Sequence, residues 1–240
     1  MTPATLIRLV AVMLVLTAIQ SVILLQFDWF GEAASTEAGP IDTLFDVMIV
    51  LSSFVFAIVM VMLGYSIWKY RARPGDESDG EPIHGNTKLE IAWTVIPTII
   101  VLFGAAYSWI VLEDIGEADA DRMVVNVQSQ QFKWTFEYPE AGNVSSGVLH
   151  VPVGKQVEFK LHALDVIHSF WVPEWRIKKD NVPGITTRAY VTPDKEGAYS
   201  LVCAELCGLG HSTMRAKVIA ESPQEFDAWL SRQRAKGSQP

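Results

Sequence analysis

Cysteine is nearly absent from this sequence. Its 240 residues hold two, Cys203 and Cys207, so the chain has material for one disulfide or one metal site and no more. Cys-x-x-Cys-His does not occur, which excludes a covalently attached c-type haem. Charge is sparse at 19%, and the 27 acidic residues outnumber the 19 basic ones. The resulting net charge of −8 argues against a nucleic-acid partner and suits a basic one. There is no internal repeat and no long low-complexity tract. Nor does the chain carry an acid–base or nucleophile set of its own for bond chemistry.

Half of the residues are hydrophobic, too many for an ordinary water-soluble domain and too few for a full transporter. A division into a membrane half and a water-exposed half resolves this. Leu6 to Phe27 is a nearly unbroken apolar run, long enough for one bilayer crossing at roughly 20 residues. It is either a signal peptide or an extra membrane helix. Its length and the poor cleavage signal at Glu32-Ala33-Ala34-Ser35 favour the helix. A small-residue, acidic connector, Gly31 to Asp42, leads to a second run, Leu44 to Trp68, in which Ser52, Ser53 and Gly64 suit close helix contact in lipid. Tyr65, Trp68 and Tyr70 form an interfacial belt. A third run, Ile91 to Leu112, contains Pro97, which a membrane helix tolerates as a kink. Lys69, Arg71, Arg73 and Lys88 flank the loop between the second and third runs, while Asp76, Glu77, Asp79 and Glu81 in that loop weigh little. The positive-inside rule therefore puts this loop in the cytoplasm and everything after Glu113 outside.

From Met123 the texture changes to short β-branched and aromatic runs. Strands are expected at 123–128, 132–138, 148–153, 157–164, 168–172, 187–192, 198–203 and 214–220, separated by turns such as Gly142-Asn143 and Pro183-Gly184. Val157 to His162 alternates apolar and polar, as a half-buried strand does. Ser222-Pro223 reads as the N-cap and first residue of a short helix that buries Phe226, Trp229 and Leu230, followed by a loose tail from Lys236 to Pro240. The expected fold is a set of N-terminal transmembrane helices followed by an all-β sandwich or barrel. The segments are 1–43 for the first apolar run and connector, 44–112 for a membrane hairpin with its loop at 70–90, and 113–240 for the outer domain.

The stretch Cys203-x3-Cys207-x3-His211-x2-Met214 concentrates chemistry in one turn-rich loop, and His168 stands upstream at the start of a strand. Three readings compete. Two cysteines on an oxidising side of the membrane usually form a disulfide. Zinc could take Cys203, Cys207, His168 and His211, but it has little use for the Met214 thioether. Copper takes thiolate, imidazole and thioether together. Two bridging thiolates could hold two coppers, each with one imidazole, leaving Met214 and a loop carbonyl as weak axial donors.

These residues resemble subunit II of the bacterial haem–copper cytochrome c oxidases. The likeness rests on the metal loop, on Asp165 to Pro173, on Leu89 to Pro97, on the aromatic segment Gln131 to Tyr138 and on Lys178 to Gly184, and it covers nearly the whole chain. The resemblance implies a cupredoxin Greek-key sandwich behind the membrane helices, in the bacterial plasma membrane with the C-terminal domain outside. Within the binuclear CuA centre, Cys203 and Cys207 would bridge, His168 and His211 would be terminal ligands, and Met214 and the Glu205 carbonyl would be weak ones. The Glu205 carboxylate would reach a magnesium shared with subunit I. Phe132 stands where the family commonly has a tryptophan that receives electrons from cytochrome c, and Trp134 lies on the next same-face position. Glu137 and Asp165 match acids near the family's donor-docking face. Glu90 matches a carboxylate at the mouth of a proton path, although an acid at a helix start is also favoured by the helix dipole. His150 and His162, on alternating strand positions, read as ordinary structural or surface histidines. The rivals are the CuA subunit of a nitric oxide reductase and a membrane-anchored copper carrier. A quinol oxidase subunit generally lacks the copper ligands.

Overall fold

A computed structural model describes residues 2–72, 74–76, 79–80 and 82–237. Arg73, Glu77 and Glu81 of the cytoplasmic loop, and the last residues of the expected loose tail, lie outside them. The chain forms two compact units. One comprises Met1–Asp28 and Thr43–Ile110, the other Trp29–Asp42 and Val111–Pro240.

The first unit is helical. Helix α1 spans Pro3–Leu24, with Thr2 capping the Thr5 amide and proline in its first turn. Helix α2 spans Ala38–Tyr70 and α3 spans Thr87–Ile115. All three are long and apolar enough to cross a membrane, and most of their large side chains face outward, as lipid-facing helices require. Among the small residues of α2, Ser53 and its neighbour one turn on, Ala57, are almost fully buried. Ser52 is exposed, and a Cβ at Gly64 would meet nothing within 4 Å, so the close seam runs through Ser53 and Ala57 rather than Ser52 and Gly64. On α3, Gly104 faces Met48 of α2, where an added Cβ would lie 3.6 Å from the methionine methyl.

The second unit is a sandwich of two five-stranded sheets. Its strands are β1 (Met123–Gln130), β2 (Lys133–Tyr138), β3 (Val144–Ser146), β4 (Leu149–Pro152), β5 (Val157–Ala163), β6 (His168–Val172), β7 (Ile177–Asn181), β8 (Thr187–Val191), β9 (Gly197–Cys203) and β10 (Arg215–Glu221). The sheet orders are β3-β2-β1-β5-β8 and β4-β10-β9-β6-β7. Two pairings are parallel, β1 with β5 and β4 with β10, and the others are antiparallel. The inward faces meet around Phe136, Phe159, Phe170, Trp175, Leu149, Leu161 and Leu201, each shut off from solvent. Helix α4 (Pro223–Gly237) closes one end, with Phe226 and Trp229 against Tyr138.

The sequence expectation needs correction at three points. Strands β3 and β7 fall outside the expected set. Both lie at sheet edges, and β7 carries Lys178, Lys179 and Asp180 outward, a polar edge with no alternation to read. Glu158 does not sit on a wet face of β5. It is buried and holds Arg122 at 2.8 Å and Arg188 at 3.4 Å, so its charge is compensated. The connector also belongs with the sandwich rather than with the first apolar run. The Ala34 amide donates to the Glu174 carbonyl at 2.8 Å, Ser35 Oγ to the Trp175 carbonyl at 3.0 Å, and the Thr192 amide to the Glu37 carboxylate at 3.0 Å. Arg176, whose φ of 57° lies in the left-handed region, forks onto Asp42 at 2.8 and 3.0 Å and donates to the carbonyls of Phe30 and Gly31. These contacts spend the polar groups of a small-residue segment that has little apolar surface of its own to bury.

Candidate metal centre

Strand pairing brings the donors together. Strand β6 lies between β7 and β9, with Phe170 opposite Cys203, so His168 at the start of β6 comes beside the last residue of β9. The chain then leaves β9, makes the loop 204–214, and returns along β10. The loop is pinned at its base by the Cys203 amide donating to the Met214 carbonyl and by the Ala204 amide donating to the Ser169 carbonyl, at 3.1 and 3.0 Å. A single 3-10 turn, His211–Thr213, presents the second imidazole.

Five soft donors form a chain of close contacts. Cys203 Sγ lies 3.9 Å from His168 Nδ1 and 3.9 Å from Cys207 Sγ. Cys207 Sγ lies 3.8 Å from His211 Nδ1 and 3.7 Å from Met214 Sδ. The Glu205 carbonyl oxygen lies 3.3 Å from Cys203 Sγ, while the rest of Glu205 is exposed. Both cysteines are free and, with His168 and Met214, buried; His211 is half-buried. Two sulfurs at this separation are unbonded, since a disulfide requires about 2.05 Å. They can nevertheless share an ion, because metal–thiolate bonds run to about 2.3 Å. Each imidazole stands beside a different sulfur, with a weak oxygen or thioether donor at each end. That donor set suits a soft metal such as copper, which takes thiolate, imidazole and thioether together, better than a tetrahedral zinc, which would leave Met214 unused.

The surroundings set the protonation of the donors. His168 Nε2 pairs with Asp165 Oδ1 at 2.8 Å, which directs the Nδ1 lone pair towards Cys203. Asp165 also accepts from the Gln131 amide and the Val166 amide, both at 2.7 Å. Desolvation works to raise the Asp165 pKa, but the Gln131 amide, the His168 ring and the Val166 amide outweigh it and hold it below the usual carboxylate range. Burial, and then the neighbouring Cys203, push the Cys207 thiol up to about 11 in the metal-free chain. Metal uptake must therefore expel protons.

The remaining expected site residues fall in different places. Phe132 is exposed, and its ring rests on the metal loop. A Cβ at Gly210 would come within 2.6 Å of that ring, and one at Gly208 within 3.3 Å. Gly208 has a φ of 130°, which favours glycine on its own account. Gly210 has a φ of −90°, so its glycine answers to Phe132 rather than to a turn. Trp134 does not share the exposed face of Phe132. A turn at 131–132 breaks the alternation, and Trp134 is buried, edge-on to His168 at 6.2 Å and to Phe170 at 6.1 Å. Glu137 accepts from Asn126 on β1 at 3.1 Å, four residues beyond the start of β2 and roughly 13 Å along it. Glu90 accepts from the Asn86 amide at 3.2 Å while Asn86 Oδ1 accepts from the Leu89 amide, a reciprocal cap on α3. His150 stacks on Trp229 at 4.1 Å and pairs with Glu221, and His162 meets the Ile185 carbonyl. Sequence reasoning missed Gln131, whose Nε2 donates to the Cys207 carbonyl at 2.6 Å across a separation of 76 residues. No local spacing could have signalled that contact.

Comparison with known proteins places the chain among its relatives. Residues 21–111 match the family model for the transmembrane domain of cytochrome c oxidase subunit II, and residues 143–221 match that for its periplasmic domain. The chain is 35% identical to cytochrome c oxidase subunit 2 of Thermostichus vulcanus, over 94% of this chain and 86% of the relative. It is 32% identical to the protein of the same name from a Synechocystis strain, over 85% of this chain and 77% of the relative. Among solved structures, the periplasmic domain of subunit II (CoxB) of Bradyrhizobium japonicum superposes with a TM-score of 0.47 and 25% identity, covering 51% of this chain and 98% of that one.

Proposed function

Because this chain belongs to the cytochrome c oxidase subunit II family, as a membrane-anchored subunit with its C-terminal domain outside the cytoplasm, we propose that it receives electrons from a donor protein at a binuclear copper centre and passes them to the haem of subunit I. The single observation that carries this reading is the run of five soft donors at 3.7–3.9 Å, with one imidazole beside each of two unbonded thiols. Bound there, a copper pair would supply one-electron storage. The chain's own residues supply the rest. Strands fix His168 and Cys203, burial keeps water from the sulfurs, and the sandwich limits rearrangement when charge changes.

In this reading Phe132 is where the electron arrives, and Trp134 is a buried wall behind His168. Leu206 and Leu209 stand out into solvent from the same loop whose Gly208 and Gly210 meet the Phe132 ring, so that loop offers a donor exposed apolar surface. Glu137 and Asp165 would contribute steering, with Asp165 already committed to three partners. Glu205 would bind copper through its carbonyl and turn its carboxylate to a magnesium held with subunit I, a hard oxygen for a hard cation. Glu90 would start a proton path, sharing its carboxylate with the cap on α3. Other oxidase subunits and membrane lipid complete the surroundings. Burial of both cysteines and Met214 disfavours a copper carrier, which needs an exposed, exchangeable site. The relatives' names likewise favour an oxidase over a nitric oxide reductase.

The test is direct. The full chain, loaded with copper in detergent, is expected to bind two coppers and to give a paramagnetic resonance spectrum of one electron shared equally between them. A single-copper spectrum, or tight stoichiometric zinc in protein from the native host, would falsify the reading.

A further inference from the structure

Gln131 ties together two parts of the metal site that the strands do not connect. Its backbone amide donates to Asp165 Oδ2 at 2.7 Å, and Asp165 Oδ1 holds His168 Nε2 at 2.8 Å. Its side-chain Nε2 donates to the Cys207 carbonyl at 2.6 Å. An unbroken path of three hydrogen bonds therefore runs from one imidazole ligand, through Asp165 and Gln131, to the backbone of one thiol ligand. The next residue, Phe132, lies on Gly208 and Gly210 of the same loop. Residues 131 and 132 thus grip the loop twice, once through a polar contact and once through an aromatic face.

The grip falls where the loop has least support of its own. Between the pinned base at Ala204 and the turn that starts at Gly208, Cys207 belongs to no strand or helix. Cys203, by contrast, ends β9. The position of Cys207 relative to His168 is therefore set from outside the loop. Outer partners of this kind orient metal ligands and tune the metal.

We propose that Gln131 is a positioning residue for the copper centre, fixing Cys207 against the His168 half so that the two coppers see matched surroundings. This rests on the two-copper reading above. A glutamine that merely braced a surface loop would affect stability alone. One that positions a ligand also affects the electronic signature of the metal.

The experiment compares the copper-loaded full chain with Gln131→Met, which keeps the length and loses the donor, and Gln131→Glu, which keeps the shape and sets a carboxylate against the Cys207 carbonyl. Copper content, paramagnetic resonance spectrum, reduction potential and rate of copper loss to a chelator are measured. Both variants are expected to keep two coppers, to show unequal coupling to them, and to shift in potential, with Gln131→Glu shifted further. Loss of copper to the chelator should quicken by roughly three- to tenfold, the worth of one hydrogen bond. Wild-type spectra and potentials in both variants, even with lowered thermal stability, would overturn the proposal. Should neither variant accumulate, wild-type chain labelled with 15N in glutamine decides. A weak magnetic coupling from one glutamine amide supports the role, and its absence removes it. A wild-type chain that shows no copper pair overturns the function itself, and this inference with it.

Discussion

The two imidazoles of the site are held in opposite ways. His168 opens a strand, is fully buried, has its outer nitrogen on Asp165, and meets the edge of Trp134. His211 opens a single 3-10 turn in a loop and is half exposed. The cysteines divide likewise, Cys203 ending a strand and Cys207 standing in the loop. One half of the site is therefore a wall of sheet, and the other is a loop braced by Gln131 and Phe132. The difference teaches that a cluster of donors can be held together without every donor lying on regular structure. One rigid half suffices if side chains from elsewhere fix the loop that carries the other half.

The sharpest way to break this comparison is at Cys207, where the halves join. Its sulfur touches Cys203, His211 and Met214. In Cys207→Ser the loop half retains an imidazole and a thioether but no thiolate. Copper content should fall to one per chain or less, and affinity should drop by more than about 100-fold, beyond the range for outer-sphere changes. Metal analysis and the resonance spectrum check this. Retention of two equivalent coppers would show that the loop half does not depend on its thiolate.

A smaller effect is expected on the wall side. Asp165→Ala removes the partner of His168 Nε2 and frees the Gln131 amide, but it touches no sulfur directly and leaves the Gln131 side chain its own hydrogen bond to the Cys207 carbonyl. Copper affinity should weaken by about 10- to 100-fold, the usual worth of such a partner. The resonance signal should become unequal chiefly through the copper beside His168, read from histidine hyperfine coupling with selectively labelled imidazole. Equal disturbance at both imidazoles would mean that the halves are not separable in the way the geometry suggests.

The same division governs what could be read from the sequence. The membrane helices were legible because lipid demands long apolar runs, and most strands because one face of each is buried. Helix ends were less so: α2 begins at Ala38, six residues before the apolar run, because polar and small residues continue the helix outside lipid. Edge strands β3 and β7 escape because β3 is only three residues long and the middle of β7, Lys178 to Asp180, is charged and exposed, so neither shows a period of two. At the site, the ligand set could be proposed from the spacing in one loop and from the resemblance. The braces could not, because Gln131 meets Cys207 only after the sheets have formed. Alternation predicts that Phe132 and Trp134 share a face; they do not, because Phe132 lies in the turn at 131–132 and stands outside the alternation of β2.

The smallest expected effect tests the aromatic half of the brace. Gly210 has an ordinary backbone conformation, so alanine there carries no dihedral penalty, yet its Cβ would sit 2.6 Å from the Phe132 ring. The ring must swing away or the loop must shift, at a cost of about 1–3 kcal/mol if overpacking is a guide. Phe132→Ala alone removes the ring and leaves the loop room to move. The double variant Gly210→Ala with Phe132→Ala should cost clearly less than the two single changes together, because the clash that the first creates has been removed by the second. Denaturant unfolding of the metal-free full chain in detergent gives the three differences, and the copper release rate of the loaded chain should follow the same order. Additive costs would mean that Phe132 does not bear on Gly210 in solution. The loop half would then owe its position to Gln131 alone.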